Sequence, residues 1–187
     1  PEERGGDPLH SPPRAGGVSE TLVPAATAVE LRPATWAADR ATLQSVRRCV
    51  FIEEQGIPES EEWDDIDPLA RHVLALAEKC DAVGTGRLEP TGKIGRVAVL
   101  PRYRGTGVGS LIMRHLVNQA TESGFTRVYL HAQVAAQGFY QRLGFTAEGP
   151  AFDEVGIPHV RMCLGIERKD GNEARRHGHE EHRLDPR

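Results

Sequence analysis

A strand, a glycine-rich turn and a helix follow one another without interruption between residues 94 and 120, and they constrain the fold more than any other stretch. Residues 97–100 form an apolar run that ends at Pro101, because proline has no N–H to give to a sheet. After the turn, apolar residues recur at the spacing of one helix face. They are Val108, Leu111, Ile112, Leu116 and Ala120. The stretch therefore predicts a strand followed directly by an amphipathic helix.

The turn itself, Arg104-Gly105-Thr106-Gly107-Val108-Gly109, holds three glycines and no acidic residue. Such a loop can point several backbone N–H groups into one concavity at a helix N-terminus, where the helix dipole adds partial positive charge. The loop therefore predicts an anion site, most naturally for a pyrophosphate. The alternative is a tight turn that only begins the helix.

Composition excludes several classes of protein. The chain has 187 residues, enough for one domain with a substantial core. Its net charge of -4 disfavours nucleic acid as a partner. It has no apolar run of the length that spans a membrane and no signal-peptide core. Its three cysteines lack the spacing of a metal site and are typical of reduced thiols, so a cytoplasmic location without a metal is expected.

The chain divides into a central domain and two tails. Residues 1–24 hold five prolines and four glycines and are predicted to be disordered. Residues 168–187 form a charged tail whose histidines are better explained by solvation than by metal binding. The domain, residues 25–167, follows the order β-α-β-β-β-α-β-α-β-β. Its strands are predicted at 28–32, 72–77, 82–89, 94–100, 128–132, 145–149 and 158–164. Its helices are predicted at 40–54 (capped by Asp39), from the glycine loop to about 124, and at 135–143, with a loop at 152–156.

Three features together resemble the GCN5-related N-acetyltransferase (GNAT) superfamily. The glycine loop resembles the family's Arg/Gln-x-x-Gly-x-Gly/Ala loop, and the strand at residues 95–99 resembles its central strand. The later signature is Gln133-x-x-Ala136-x-x-x-Tyr140-x-x-x-Gly144-Phe145, with Gln133 where many members carry Asn. Residues 50–55 and 65–72 resemble the small bacterial ElaA-like and YjcF-like branch. The resemblance covers residues 27–166 and implies an α+β fold, a mixed and largely antiparallel sheet of six to seven strands flanked by helices.

The resemblance implies acetyl-CoA as the donor and a primary amine of a small molecule or peptide as the acceptor, with direct transfer in a ternary complex. The glycine loop would then hold the pyrophosphate, with hydroxyl donors from Thr106 and Ser110. Arg104 would pair with a phosphate or be a surface cation. The residues of this site are Arg104, Gly105, Thr106, Gly107, Val108, Gly109 and Ser110. A non-catalytic acetyl-CoA-binding module is the alternative function.

In the family, the central strand splays away from its neighbour and leaves a V-shaped slot. The resemblance then implies that backbone groups of the segment Val97, Ala98 and Val99 bind the pantetheine arm and polarise the thioester carbonyl. Gln133 and Gln137 are weaker candidates for holding the pantetheine amides. A Rossmann-type nucleotide site is less favoured, because Gly-x-Gly-x-x-Gly early in a βαβ unit and an acidic residue about 20 residues later are missing.

Acetyl transfer to an amine needs an acid and a base. Tyr140 is the candidate general acid, since a phenol of pKa about 10 can protonate a thiolate whose conjugate acid lies near 8–9. Its alternative role is to pack a helix onto the sheet. Glu53 and His72 are the leading candidates for the base. The remaining candidates are Asp153, Glu154, His159, His131 and a chain of water. Cys49 lies in the middle of a predicted helix, which disfavours a covalent acyl-enzyme.

An acidic stretch between residues 59 and 67 holds six carboxylates. If it faces the slot, it would attract a cationic acceptor. The favoured alternative is a solvated loop. The resemblance leaves the oligomeric state open between a monomer and a homodimer, since members of the family often dimerise through late strands or exposed sheet edges.

Overall fold

The computed structural model describes residues 28–167, so the predicted tails at 1–24 and 168–187 lie outside it. Within the described residues, seven strands form two antiparallel sheets. The first has the order β1-β2-β3-β4, from strands β1 (Glu30–Ala34), β2 (Arg71–Leu76), β3 (Ala82–Leu88) and β4 (Ile94–Val99). The second has the order β5-β7-β6, from strands β5 (Arg127–Gln133), β6 (Thr146–Glu154) and β7 (Ile157–Gly165). The predicted fold class is confirmed, and the strands follow one another along the chain in the predicted order, divided between two sheets instead of one.

In the part of the chain that the structure describes, four α-helices flank the sheets, one more than predicted: α1 (Trp36–Arg47), α2 (Glu59–Glu62), α3 (Val108–Glu122) and α4 (Gln137–Arg142). A π-helical segment, Arg48–Glu54, continues α1. Helix α1 begins earlier than predicted because Thr35, not Asp39, is its N-cap. The Thr35 hydroxyl accepts from the N–H of Ala38, and the Asp39 carboxylate accepts from the N–H of Thr35. Within residues 28–167, every helix is too short or too polar to cross a membrane.

Helix α3 packs across the first sheet and supplies much of the core. Ile112 and Leu116 are fully buried there. Two glycines of β3 allow the close approach, since a Cβ at Gly84 or at Gly86 would lie 2.9 Å from an Ile112 side-chain carbon. The packing fixes the start of α3, and with it the glycine loop, against β4.

Strands β4 and β5 run side by side but do not form a ladder. In the described part of the chain, a single parallel bridge joins Lys93 to Tyr129 just before β4 begins. Strand β4 also carries a bulge against β3, where Arg96 has a positive φ of 51°. Because the two strands separate beyond the bridge, a cleft opens between the sheets.

The hairpin between β6 and β7 is tighter than predicted. The predicted loop at 152–156 is mostly strand, and only Val155 and Gly156 form the turn, both with positive φ (54° and 75°). Two-residue hairpin turns require this conformation because it matches the twist of the paired strands. The hairpin therefore holds Glu154 at a strand end, paired with Ile157, instead of in a loop.

Candidate active site

A cavity of about 740 Å³ occupies the space between β4 and β5. The glycine loop lines one part of it, α4 another, and the β6–β7 turn a third. Most of the predicted cofactor-binding residues lie on its wall, namely Val97, Ala98, Val99, Arg104, Gly105, Gly107, Gly109, Ser110 and Gln133. The exceptions are Thr106, Val108 and Gln137. The Thr106 hydroxyl donates to the carbonyl of Tyr103 (2.7 Å), and the Val108 side chain is buried in the core, so neither side chain faces the cavity.

The glycine loop presents a row of free backbone donors at the start of α3. In the described residues, the N–H groups of positions 105–110 donate to no backbone carbonyl. Gly105 and Gly107 have φ of 76° and 93°, a conformation that a glycine adopts without steric cost. A 15-residue helix follows at once, so its dipole reinforces the positive field of these donors. The loop has the geometry of an anion site.

Arg104 is occupied by protein groups. Its guanidinium makes two 2.6 Å bonds to the carboxylate of Glu54, and its Nε donates to the carbonyl of Val99 (2.9 Å). This pairing raises the pKa of Arg104, chiefly through the hydrogen bond to Glu54. Of the two predicted roles of Arg104, the pairing with a phosphate stays a prediction. The side chain fastens the end of the π-helical segment to β4.

The cleft side of β4 exposes backbone groups. The N–H of Leu100 donates to Val83 on β3 (2.9 Å). Since successive residues of a strand point their N–H and C=O groups to opposite edges, those of Val99 and Val97 face away from β3, toward β5. The bond from Arg104 to the Val99 carbonyl agrees with this orientation. Strand β5 does not pair with them in the described residues. The two N–H groups are therefore available to a ligand, whereas the Val99 carbonyl accepts from Arg104.

Tyr140 lies on α4 with its ring on the cavity wall. It makes edge contacts with Phe139 and Phe145, at centroid distances of 4.9 and 6.2 Å. Burial raises the pKa of Tyr140 to about 12. The phenol is therefore protonated throughout the neutral range and can donate a hydrogen bond into the cavity. Gln133, on the same wall, donates to the side chain of Gln55 (2.9 Å).

The two leading candidates for the base lie away from the cavity. His72 is 1% exposed, its Nε2 lies 2.8 Å from the carbonyl of Asp67, and its ring stacks on Trp36. Burial lowers the pKa of His72. Glu53 is an exposed residue of the π-helical segment and does not line the cavity. The structure therefore contradicts His72 as the base and gives Glu53 no access to the reaction.

Three of the other candidates meet on the cavity wall: His131 from β5, Glu154 from β6 and His159 from β7. The Nδ1 of His131 lies 3.3 Å from the nearer oxygen of Glu154, and the Nε2 of His159 lies 3.9 Å from the same oxygen. Asp153 instead accepts from the N–H of Gly156 and shapes the turn. Sequence reasoning named this group without choosing among its members. One local pattern in the sequence could have favoured His131. It lies on the polar face of β5, opposite the buried Leu130 and Ala132.

The acidic stretch is anchored through its buried carboxylates, while Glu59, Glu61 and Asp65 are exposed. Asp67 and Glu62 are 0% and 2% exposed. Arg47 binds both, at 2.6 Å to Asp67 and 2.5 Å to Glu62, and Arg87 binds Asp67 at 2.7 Å. These contacts hold the segment against β3, and its residues Glu61 and Glu62 line the cavity. Sequence reasoning missed the cavity residue Arg96, which donates to the backbone carbonyls of Glu61 and Glu62.

The sequence and the structure are both similar to those of known acetyltransferases. Residues 53–165 match the family model described as "Acetyltransferase (GNAT) domain". YyaT of Bacillus subtilis is 39% identical over 146 residues, which cover 75% of this chain and 98% of YyaT. The crystal structure of ElaA from Escherichia coli superposes with a TM-score of 0.66 at 28% identity, over 73% of this chain and 99% of that one. An acyl-CoA N-acyltransferase from Pseudomonas aeruginosa superposes with a TM-score of 0.65 at 29% identity, over 73% and 99%.

Proposed function

This chain belongs to the GNAT acetyltransferase family, and we propose that it transfers an acetyl group directly from acetyl-CoA to a primary amine of a small molecule or peptide. The observation that carries the proposal is the cleft between β4 and β5. It combines free N–H groups at the start of α3 with the protonated phenol of Tyr140. The N–H groups suit an anionic group of the donor, and the phenol can give a proton to the leaving group.

The donor suits the polar groups that line the cleft. The pyrophosphate would lie on the N–H groups of residues 105–110, and the pantetheine arm would follow β4. The free N–H groups of Val97 and Val99 would then bind the arm and the carbonyl oxygen of the thioester. A backbone donor that is already aimed at a developing oxyanion is among the strongest contributions to acyl transfer. The Pseudomonas relative, which is named an acyl-CoA N-acyltransferase, supports an acyl-CoA as the donor.

The reaction forms one bond and breaks another. The amine nitrogen attacks the carbonyl carbon, the C–N bond forms, and the C–S bond breaks as the electron pair leaves on sulfur. Tyr140 gives its proton to that sulfur. After attack, the nitrogen carries two protons and loses one of them to solvent as it becomes the amide nitrogen. Solvent then returns a proton to the phenolate of Tyr140. A positioned acid of this kind contributes roughly 10²–10⁴-fold to the rate.

Tyr140→Phe tests this assignment. With a panel of primary amines, we expect the wild-type protein to release CoA with at least one chemical class. In Tyr140→Phe, kcat should fall roughly 10²–10⁴-fold, while the affinity for acetyl-CoA, measured by calorimetry, stays the same. Tyr129→Phe is the matched control, because Tyr129 is a half-buried tyrosine of β5 that does not line the cavity. We expect it to keep its activity.

The alternative function predicts a different outcome. A non-catalytic acetyl-CoA-binding module would bind acetyl-CoA but release no CoA with any amine, and Tyr140→Phe would change nothing. Direct transfer is tested by initial-rate kinetics in which both substrates vary. Intersecting patterns, with no acetyl adduct on the protein by mass spectrometry, support a ternary complex. Parallel patterns with an adduct would contradict it.

A further inference from the structure

We propose that His131 is the general base that takes a proton from the ammonium group of the acceptor, and that Glu154 is the positioning residue that orients its ring. The inference rests on the proposed function, since it assigns a residue to a step of that reaction. It replaces the candidates Glu53 and His72, which do not reach the cavity.

The geometry of the His131 ring leaves one nitrogen free. Its Nδ1 lies 3.3 and 3.5 Å from the two carboxylate oxygens of Glu154, so Nδ1–H is the donor in this contact. That assignment leaves the lone pair on Nε2, the nitrogen that can accept a proton. The ring of Phe152 packs edge-on against the imidazole at 4.9 Å. The ring is thus held in one orientation by a carboxylate on one side and an aromatic face on another.

The charges around His131 favour a neutral imidazole before the reaction. The charged and titratable groups that face it are Lys93 ahead of β4, Glu154 on β6, Arg161 and His159 on β7, and Tyr129 on its own strand. Burial, followed by the charge of Lys93, lowers the pKa of His131, and Glu154 opposes this shift. The imidazole is therefore unprotonated at neutral pH. Once it takes a proton, the adjacent carboxylate stabilises the imidazolium.

His159 is less suited to the same task. Its Nδ1 lies 2.8 Å from the carbonyl of Ile157, and its Nε2 lies 3.9 Å from Glu154, beyond hydrogen-bond distance. The Nδ1–H of His159 thus donates to a neutral carbonyl, which stabilises an imidazolium less than the carboxylate on Nδ1 of His131 does. Glu154 accepts a hydrogen bond from His131. We therefore expect Glu154 to act on the reaction through the imidazole of His131.

The proton balance closes. The ammonium N–H bond breaks, its proton moves to Nε2 of His131, and the electron pair stays on the nitrogen as the nucleophile. His131 returns this proton to solvent after each turnover. The overall reaction converts the ammonium and the thioester into an amide, a thiol and one released proton.

The experiment measures kcat against pH, with saturating acetyl-CoA and an amine that the wild-type protein acetylates. We expect an ascending limb below the pKa of free histidine in the wild type. His131→Gln should lower kcat roughly 10²–10⁴-fold and abolish the limb, with an unchanged Kd for acetyl-CoA. Glu154→Gln should shift the limb to lower pH, because the carboxylate that raises the pKa of His131 is gone. His159→Gln should keep an ascending limb that lies closer to the wild-type pH than the limb of Glu154→Gln does.

Chemical rescue guards against a variant that is merely misfolded. His131→Ala removes the ring, and added imidazole should restore part of its kcat in proportion to the imidazole concentration. A His131→Gln protein with wild-type kcat and an unchanged limb would overturn the inference while leaving acetyl transfer intact. A folded His131→Ala protein that imidazole does not rescue would also overturn the inference. Absence of turnover by the wild type with every amine would instead contradict the proposed function.

Discussion

The surroundings of Tyr140 keep its phenol protonated. The phenol lies against the rings of Phe139 and Phe145, in a wall that offers little to stabilise a tyrosinate. Burial therefore disfavours the charged form and raises the pKa to about 12. The sequence signature identified this tyrosine, but the shift arises from residues that the fold packs around it.

This shift predicts how activity behaves in alkaline solution. The protonated phenol is the active form, so a raised pKa extends activity to higher pH. We expect kcat of the wild type to show no descending limb from Tyr140 between pH 8 and about 10, the ordinary pKa of tyrosine. The CoA-release assay over this range checks it. A descending limb near pH 10 that disappears in Tyr140→Phe would contradict the raised pKa, while it would agree with Tyr140 as the acid.

At the scale of elements, the cleft depends on one strand and one helix start. The bulge at Arg96 and the single bridge between Lys93 and Tyr129 let β4 separate from β5. The close packing of α3 on the glycines of β3 holds the glycine loop at the edge of the opening. Two segments that are adjacent in sequence thus place an unpaired strand edge beside the free N–H groups of the glycine loop.

Gly107→Ala tests the glycine loop. A Cβ at Gly107 meets no atom within 4 Å, so its cost comes from the backbone φ of 93°. A non-glycine residue in this region costs about 1–2 kcal/mol, which corresponds to a roughly five- to thirtyfold effect. We expect the affinity for acetyl-CoA to fall by about that factor as the loop relaxes away from its donor geometry. Isothermal calorimetry measures the change.

Gly124→Ala is the matched control for the loop. Gly124 follows the other end of α3, has φ of 82° and is equally free of close neighbours. Its substitution should cost similar folding stability but leave the affinity for acetyl-CoA unchanged. Equal losses of affinity in both variants would mean that general destabilisation, and not the loop, controls binding.

At the scale of the whole molecule, a network of ion pairs joins distant parts of the chain. Arg47 of α1 and Arg87 of β3 both bind Asp67, and Arg87 binds Asp64 with two bonds of 2.7 Å. Removing one partner from such a buried pair leaves an uncompensated charge, a change that typically costs about 3–5 kcal/mol. The network therefore fixes the acidic wall of the cavity to the first sheet.

Asp64 makes the network sensitive to acid. Burial would raise its pKa, but the bonds and charge of Arg87, with the charge of Arg96, outweigh burial and lower it to about 2. Because the pKa is lower in the folded state, this carboxylate stabilises the fold above about pH 4, the range of free aspartate. The contribution is lost as the pH falls toward 2.

Urea unfolding of Asp64→Asn at pH 6 and pH 3 measures this effect. The free energy of unfolding should fall below that of the wild type by more at pH 6 than at pH 3. Asp65→Asn is the control, since Asp65 is exposed and its carboxylate makes no hydrogen bond within the described residues. Its effect at pH 6 should be smaller. An equal gap for Asp64→Asn at both pH values would contradict the prediction.

The sequence alone determined the features that depend on neighbouring residues. Glycine and proline positions located the loop after β4, helical periodicity located α3, and the signature around Tyr140 indicated the family, which the comparisons confirm. These signals are local, because backbone conformation and amphipathic spacing are set within a few residues. The cofactor-binding and catalytic roles of these residues stay predictions.

Only the tertiary structure decided which polar side chains meet. His131 and Glu154 are 23 residues apart and come together because β5 and β6 both pair with β7. Arg104 reaches Glu54 across 50 residues, and the acidic stretch finds its arginines on α1, β3 and β4. Strand register and the packing of helices on sheets create these contacts. No local pattern encodes them, and for that reason the candidates for the base included His72, a histidine that the fold buries beside Trp36.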